Sequence, residues 1–168
     1  MTDTDVPARS FTVEWDDPAP AAAQIPSLTG LDYVTGLADG TFPPPPIAKL
    51  MGFTVAEVER GRVVFECEPG EQHYNPIGTV HGGLACTLLD SAIGCAAQTT
   101  LQQGQGYTSI DITVSYLRPI LANSGTLRCE GVVTKPGSRV AFAEGRLTDG
   151  AGRLVATATS SLLVFALQ

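Results

Sequence analysis

The chain has 168 residues, of which 43% are hydrophobic and 16% charged, and it carries a formal net charge of −7. That length suits one domain with a proper core, and the scattered bases without a dense block argue against a nucleic-acid-binding face. With no basic leader and no apolar run long enough to span a bilayer, no signal peptide, membrane helix or membrane partner is expected. The expected location is cytoplasmic, where Cys67, Cys86, Cys95 and Cys129, lacking any C-x-x-C pair, read as free buried thiols.

The acidity is concentrated at the N-terminus. Residues 1–48 hold seven acids against Arg9 alone, whereas the remainder holds ten acids and nine bases. Residues 1–45 are accordingly set apart as an acidic, Pro-rich extension, and 46–168 as the folded domain. Residues 1–30 show no period and are expected to have little structure of their own. Leu31 to Ala38 reads as a short helix ended by Gly40. The run "FPPPPIAKLMGF" is a stiff polyproline lead into a second short helix carrying Ile47, Leu50 and Met51.

From Phe53 the period changes to two. Val55–Glu59 and Arg62–Glu68 flank Gly61 and predict a β-hairpin. A single long helix is predicted from Gly82 to about Gln103, apolar nearly all round, as a buried helix should be. Beyond it the turn signals "ANSG", "KPGS" and "TDGAG" separate four strand-like runs, Tyr107–Leu117, Thr126–Lys135, Val140–Thr148 and Leu154–Phe165. In the first run Ile110, Ile112, Val114 and Tyr116 are expected on one face, with Ser109, Asp111, Thr113 and Ser115 on the other. The order of hairpin, helix and four-strand meander predicts an α+β fold. Its antiparallel sheet must cover an apolar face, and only one helix is long enough to do so.

Within that helix Gly83, Cys86, Asp90, Gly94 and Ala97 form a stripe of small residues interrupted by one carboxylate. Close packing explains the small residues and leaves Asp90 unexplained, since an acid is almost never buried unpaired. The helix also opens on Gly82 and Gly83. Glycines there permit tight packing, and they equally permit a ligand to approach the unpaired N–H groups at the positive end of the helix dipole. A developing oxyanion would be stabilised at that place.

The stretches "HYNPIGTVHGGLACTLLD" and "SIDITVSYLRP" resemble those of the PaaI-like acyl-CoA thioesterases of the hotdog-fold superfamily, over roughly Met51 to Phe165. The resemblance implies an antiparallel sheet wrapped around one central helix and hydrolysis of an acyl-CoA without metal or organic cofactor. It also implies that the Gly82 N–H polarises the thioester carbonyl and that Asp90 activates or positions the attacking water. Asn75 would help hold the water or the carbonyl, and Ser109 would assist from the strand after the helix. His81 and Gly83 at the helix entry, with Arg118, Lys135 and Arg139 as candidates for the coenzyme A phosphates, complete the expected substrate-binding set.

Other chemistries fit less well. There is no G-x-S-x-G for a serine triad, and His73 and His81 lack the spacing of a helical metal pair. Two rivals remain open at this stage, an enoyl-CoA hydratase or dehydratase of the same superfamily and a non-catalytic acyl-CoA sensor. An oligomer is expected, as a dimer or dimer of dimers. Gly82 and Asp90 stand eight residues apart, about 12 Å along a helix, too far for one carbonyl to meet both comfortably. Antiparallel helices in a two-fold dimer would bring Gly82 of one chain opposite Asp90 of the other.

Overall fold

The computed structural model describes residues 8–167. Four helices, α1 (Ala19–Ala22), α2 (Gly30–Ala38), α3 (Pro46–Met51) and α4 (Gly82–Gln98), accompany six strands. These are β1 (Phe53–Glu59), β2 (Arg62–Cys67), β3 (Gln105–Tyr116), β4 (Leu127–Lys135), β5 (Val140–Thr148) and β6 (Leu154–Ala166). They form one antiparallel sheet in the order β1-β2-β4-β5-β6-β3, with α4 packed against one face. This is the hotdog architecture. None of the helices among the described residues is long and apolar enough to cross a membrane.

The hairpin closes as expected on Gly61, whose φ of +80° suits a glycine. The strand interiors hold a device that periodicity does not reveal. Gly131 of β4 and Gly145 of β5 pair directly across the ladder, beneath α4. An added Cβ at Gly131 would stand 2.6 Å from the Ile93 backbone nitrogen. The two glycines therefore form a flat seat on which the helix backbone rests. Leu88, Leu89, Ala92 and Ile93 of α4 are completely buried above it.

Two expectations need correction. The long helix ends at Gln98 rather than near Gln103. Thr99 and Thr100 turn their hydroxyls back on the Ala96 and Ala97 carbonyls, at 2.6 and 2.7 Å, and Thr99 also accepts the Gly61 N–H at 2.7 Å. Side chains that compete for the backbone in this way favour the end of a helix. The second correction concerns β3. Ser109 pairs with Leu162 and Asp111 with Ser161, so Ile110 is the extra residue of a β-bulge. The bulge swaps the faces: Tyr107 and Ser109 join Ile112, Val114 and Tyr116 on the helix side, while Ile110 is 57% exposed on the other.

Residues 30–42, grouped by charge with the extension, pack onto the domain. Val34 is completely buried and belongs to the main core. The Gly30 N–H donates to the Leu101 carbonyl at 3.1 Å, pinning the start of α2 beside the end of α4. The thiols Cys67 and Cys129 are buried, whereas Cys86 and Cys95 are half-buried, and all four are free.

Candidate active site

Helix α4 begins at a turn built by Asn75. The Asn75 Oδ1 accepts the N–H groups of Ile77 and Thr79 at 3.1 and 3.2 Å, and its Nδ2 donates to the Thr79 hydroxyl at 2.9 Å. One Nδ2 proton is left for a ligand, because the amide carries two. The peptide then folds back so that the His81 N–H donates to the His73 carbonyl at 2.7 Å. His81 is the N-cap. Its Nδ1 accepts the Gly83 N–H at 2.8 Å, which makes Nδ1 the unprotonated nitrogen. Gly83 is thus occupied by its own cap, while the Gly82 N–H meets no acceptor among the described residues.

Gly82 is free of a side chain for a steric reason. The Tyr116 ring lies over it, so that an added Cβ would stand 3.1 Å from the ring, and the Tyr116 hydroxyl donates to the Gly82 carbonyl at 3.1 Å. Around this corner Val80, Gly82, Ala85, Tyr116, Arg118 and Ile120 line a cavity of about 420 Å³.

Two turns along α4, the half-buried Asp90 accepts a hydrogen bond from the Ser109 hydroxyl at 2.9 Å. The bulge at Ile110 makes this contact possible, since regular alternation carried back from Ile112 would turn Ser109 away from the helix. Asp90 faces a second cavity of about 460 Å³, shared with Cys95, Tyr107, Phe42, Phe53 and Phe65. Burial, with the Asp90 charge adding to it, pushes the Cys95 thiol up to about 12. Burial likewise raises the Tyr107 phenol well above its ordinary value, with Cys95 and Asp90 contributing. The Tyr107 ring presses on Gly94, where an added Cβ would stand 2.8 Å from the ring.

The structure therefore joins Asp90 to Ser109 and places Gly82 elsewhere. Tyr116 over Gly82 pairs with Ala156, and Ser109 pairs with Leu162. Those six steps along β6 amount to about 20 Å at about 3.3 Å per residue. The three candidate cations divide in the same way. Arg118 donates to the Leu154 carbonyl at 2.5 Å, at the Gly82 end of the sheet. Arg139, whose carbonyl accepts the Val164 N–H at 2.9 Å, lies at the Asp90 end with Lys135. None of the three is in an ion pair among the described residues, whereas Arg62, Arg128 and Arg153 are.

Sequence reasoning missed Tyr107 and Tyr116, which close the two cavities. Tyr116 falls in alternation with Ile112 and Val114, as expected, whereas Tyr107 reaches the helix side only through the bulge, which periodicity does not reveal. His73 is buried beneath the loop, with Nδ1 accepting the Gly70 N–H at 3.0 Å and Nε2 without a hydrogen-bond partner among the described residues. Burial lowers its pKa.

A family model described as the thioesterase superfamily matches residues 77–156. Acyl-coenzyme A thioesterase 13 of Homo sapiens is 34% identical over 104 residues, covering 61% of this chain and 73% of that one. Among solved structures, a phenylacetic acid degradation-related protein of Ralstonia eutropha JMP134 superposes with a TM-score of 0.71 at 28% identity, over 78% of this chain and 98% of that one. A Streptococcus mutans UA159 protein bound to acetyl CoA shares the fold, with a TM-score of 0.64 and 24% identity over 70% and 91% of the two chains.

Proposed function

The chain belongs to the thioesterase superfamily as a PaaI-like hotdog thioester hydrolase, and from that premise we propose that it cleaves acyl-CoA thioesters in a site shared by two subunits. The observation that carries this reading is the Asp90 carboxylate, held by Ser109 at the mouth of an apolar cavity.

The chemistry needs a base and an oxyanion donor on one carbonyl. Asp90 takes a proton from a water as the water oxygen bonds to the carbonyl carbon. Negative charge gathers on the carbonyl oxygen, where the free Gly82 N–H and the N-terminal dipole of α4 stabilise it. The remaining Asn75 amide proton assists at the water or the carbonyl. When the tetrahedral species collapses the C=O re-forms and the C–S bond breaks. The proton on Asp90 passes to the departing sulfur, giving the free acid and the thiol of coenzyme A.

Two subunits are invoked because Gly82 and Asp90 open onto different cavities of one chain. Among the described residues the strand β3 has a neighbour only on its β6 side and leaves a twelve-residue edge. An open edge of that length is one that proteins cover. Antiparallel pairing of two such edges puts the Gly82 end of one subunit over the Asp90 end of the other. Half-exposed Gly83, Cys86, Thr87 and Asp90 form the strip along which the two α4 helices would meet. The same symmetry brings Arg118 of one subunit to the end holding Lys135 and Arg139 of the other, grouping three cations for the coenzyme A phosphates.

The Nδ1 of His81 is committed to capping α4 and His73 is buried, which favours hydrolysis over hydration. The test is thiol release from acyl-CoA esters by the wild type and by Asp90→Asn. The variant should keep its circular dichroism and lose about 10²-fold or more in kcat. Near-wild-type turnover by a folded variant would overturn the assignment.

A further inference from the structure

We infer that the acyl group enters the cavity beside Asp90, and that residues 37–48 of the same subunit form a wall selecting uncharged, apolar acyl groups of medium length or longer. This rests on the thioesterase reading above and adds the substrate class. The cavity is bounded on one side by α4 and Tyr107, and on the other by the stretch from Leu37 through Phe42 and Pro45 to Ala48. These wall residues precede the segment 77–156 matched by the family model.

The wall is anchored well enough to discriminate. Phe42 donates its N–H to the Gly36 carbonyl at 2.8 Å and stacks its ring over Gly36, where an added Cβ would stand 2.6 Å from it. The same ring packs against Tyr33 at a centroid distance of 5.5 Å. The buried Val34 and the Gly30–Leu101 hydrogen bond tie this unit to α4. Pro43 to Pro45 before α3, and Pro46 at its start, leave the chain little freedom to swing away.

The lining then sets the chemistry of the ligand. At about 460 Å³ the cavity greatly exceeds what an acetyl group fills, and lies in the range of about 300–1,000 Å³ typical of small-molecule sites. Phe42, Phe53, Phe65 and Tyr107 supply aromatic surface, while the titratable lining residues other than Cys95 and Tyr107 are Asp39 and Asp90, with no Lys, Arg or His. An acyl group ending in a carboxylate would meet two acids and no cation there, a penalty that an apolar chain avoids.

The experiment measures kcat/KM for acetyl-, butanoyl-, octanoyl-, decanoyl- and succinyl-CoA. In the wild type it should climb by about fourfold per added methylene until the cavity is full. Succinyl-CoA should fall at least about tenfold below butanoyl-CoA, which has the same number of acyl carbons. Leu37→Trp should lower the octanoyl and decanoyl values by roughly 15-fold, as expected for displacing two methylenes, and leave acetyl-CoA within about twofold. Thr54→Trp, at an exposed β1 position that also lines the cavity, makes the same test if Leu37→Trp fails to fold. A flat wild-type profile, equal rates for succinyl- and butanoyl-CoA, or wall variants that slow every ester alike would overturn the cavity assignment while leaving the hydrolase reading intact. Hydrolysis of none of the esters would sink the acyl-CoA reading itself, and this inference with it.

Discussion

The seat beneath α4 offers a quantitative test of how the fold holds its catalytic helix. In Gly131→Ala the new methyl meets the Ala92 carbonyl and the Ile93 nitrogen, the latter at 2.6 Å. Both are helix backbone and cannot rotate aside, so the helix must lift from the sheet. Overpacking of this kind costs about 1–3 kcal/mol, and a backbone clash belongs at the upper end. The lost freedom of the unfolded chain returns about 0.4–1 kcal/mol. A net loss of about 2 kcal/mol should lower Tm by about 4–8 °C for a domain of this size. Gly145→Ala is the internal control. Its methyl meets only the side-chain ends of Leu89 and Ile93, at 2.9 and 3.1 Å, which can shift. Its Tm should stay within about 2–4 °C of wild type. Thermal melts followed by circular dichroism decide the matter. If Gly131→Ala melts with the wild type, or Gly145→Ala loses as much Tm as Gly131→Ala, the seat does not work as described.

Ser109→Ala removes one hydrogen bond to Asp90 and should lower kcat by about two- to tenfold with KM nearly unchanged, and Ser109→Thr should restore part of it. Removing the right cation among Arg118, Lys135 and Arg139 should raise KM for the coenzyme A ester and spare a truncated thioester lacking the nucleotide. Equal effects on both substrates would contradict the phosphate role. Burial, with Glu68 adding to it, lifts the Cys67 thiol to about 11, so at pH 8 about one molecule in a thousand carries its thiolate. Labelling by iodoacetamide should leave Cys67 and Cys95 unmodified in the native protein and reach them after denaturation. His73 has its folded pKa depressed by burial, so the stability it allows is present above the unfolded value of about 6.5 and is lost as pH falls through the folded value. Urea melts across that window should show a smaller acid loss in His73→Gln than in wild type.

Much of the architecture was legible because its signals are local. Gly61 between two alternating runs fixed the hairpin, three glycine-bearing turns divided the meander, and the apolar circumference of α4 marked it as central. Asp90 stood out because a lone acid in such a helix requires a reason, and its hydrogen bond with Ser109 supplies one. The bulge at Ile110 was not legible. Apolar residues continue in alternation through Ile110, Ile112, Val114 and Tyr116, so nothing local reveals that one of them is extra, and the face of Ser109 was inverted. The glycine seat was hidden for a related reason. An interior strand glycine weakens β-propensity, and its value emerges only once Gly131 and Gly145 are known to lie opposite each other under a helix. The wall formed by residues 37–48 is a long-range feature as well. Its prolines and phenylalanine read as a linker until α2 is seen pinned to α4.

The central claim, a site shared by two subunits, is tested most directly by complementation. Asp90→Asn removes the base from one chain. Gly82→Pro removes the oxyanion donor from the other, at the first helical position, where proline is tolerated and the extended His81 that precedes it is already compatible; the Tyr116 ring, 3.1 Å from the new Cβ, is exposed and can give way by a few tenths of an ångström. Each variant alone should be nearly inactive. After equal mixing and subunit exchange, half of the dimers should be mixed, each with one intact site of two, so activity should return to about a quarter of wild type. If native mass spectrometry shows exchange and no activity returns, Gly82 and Asp90 do not meet across a subunit boundary.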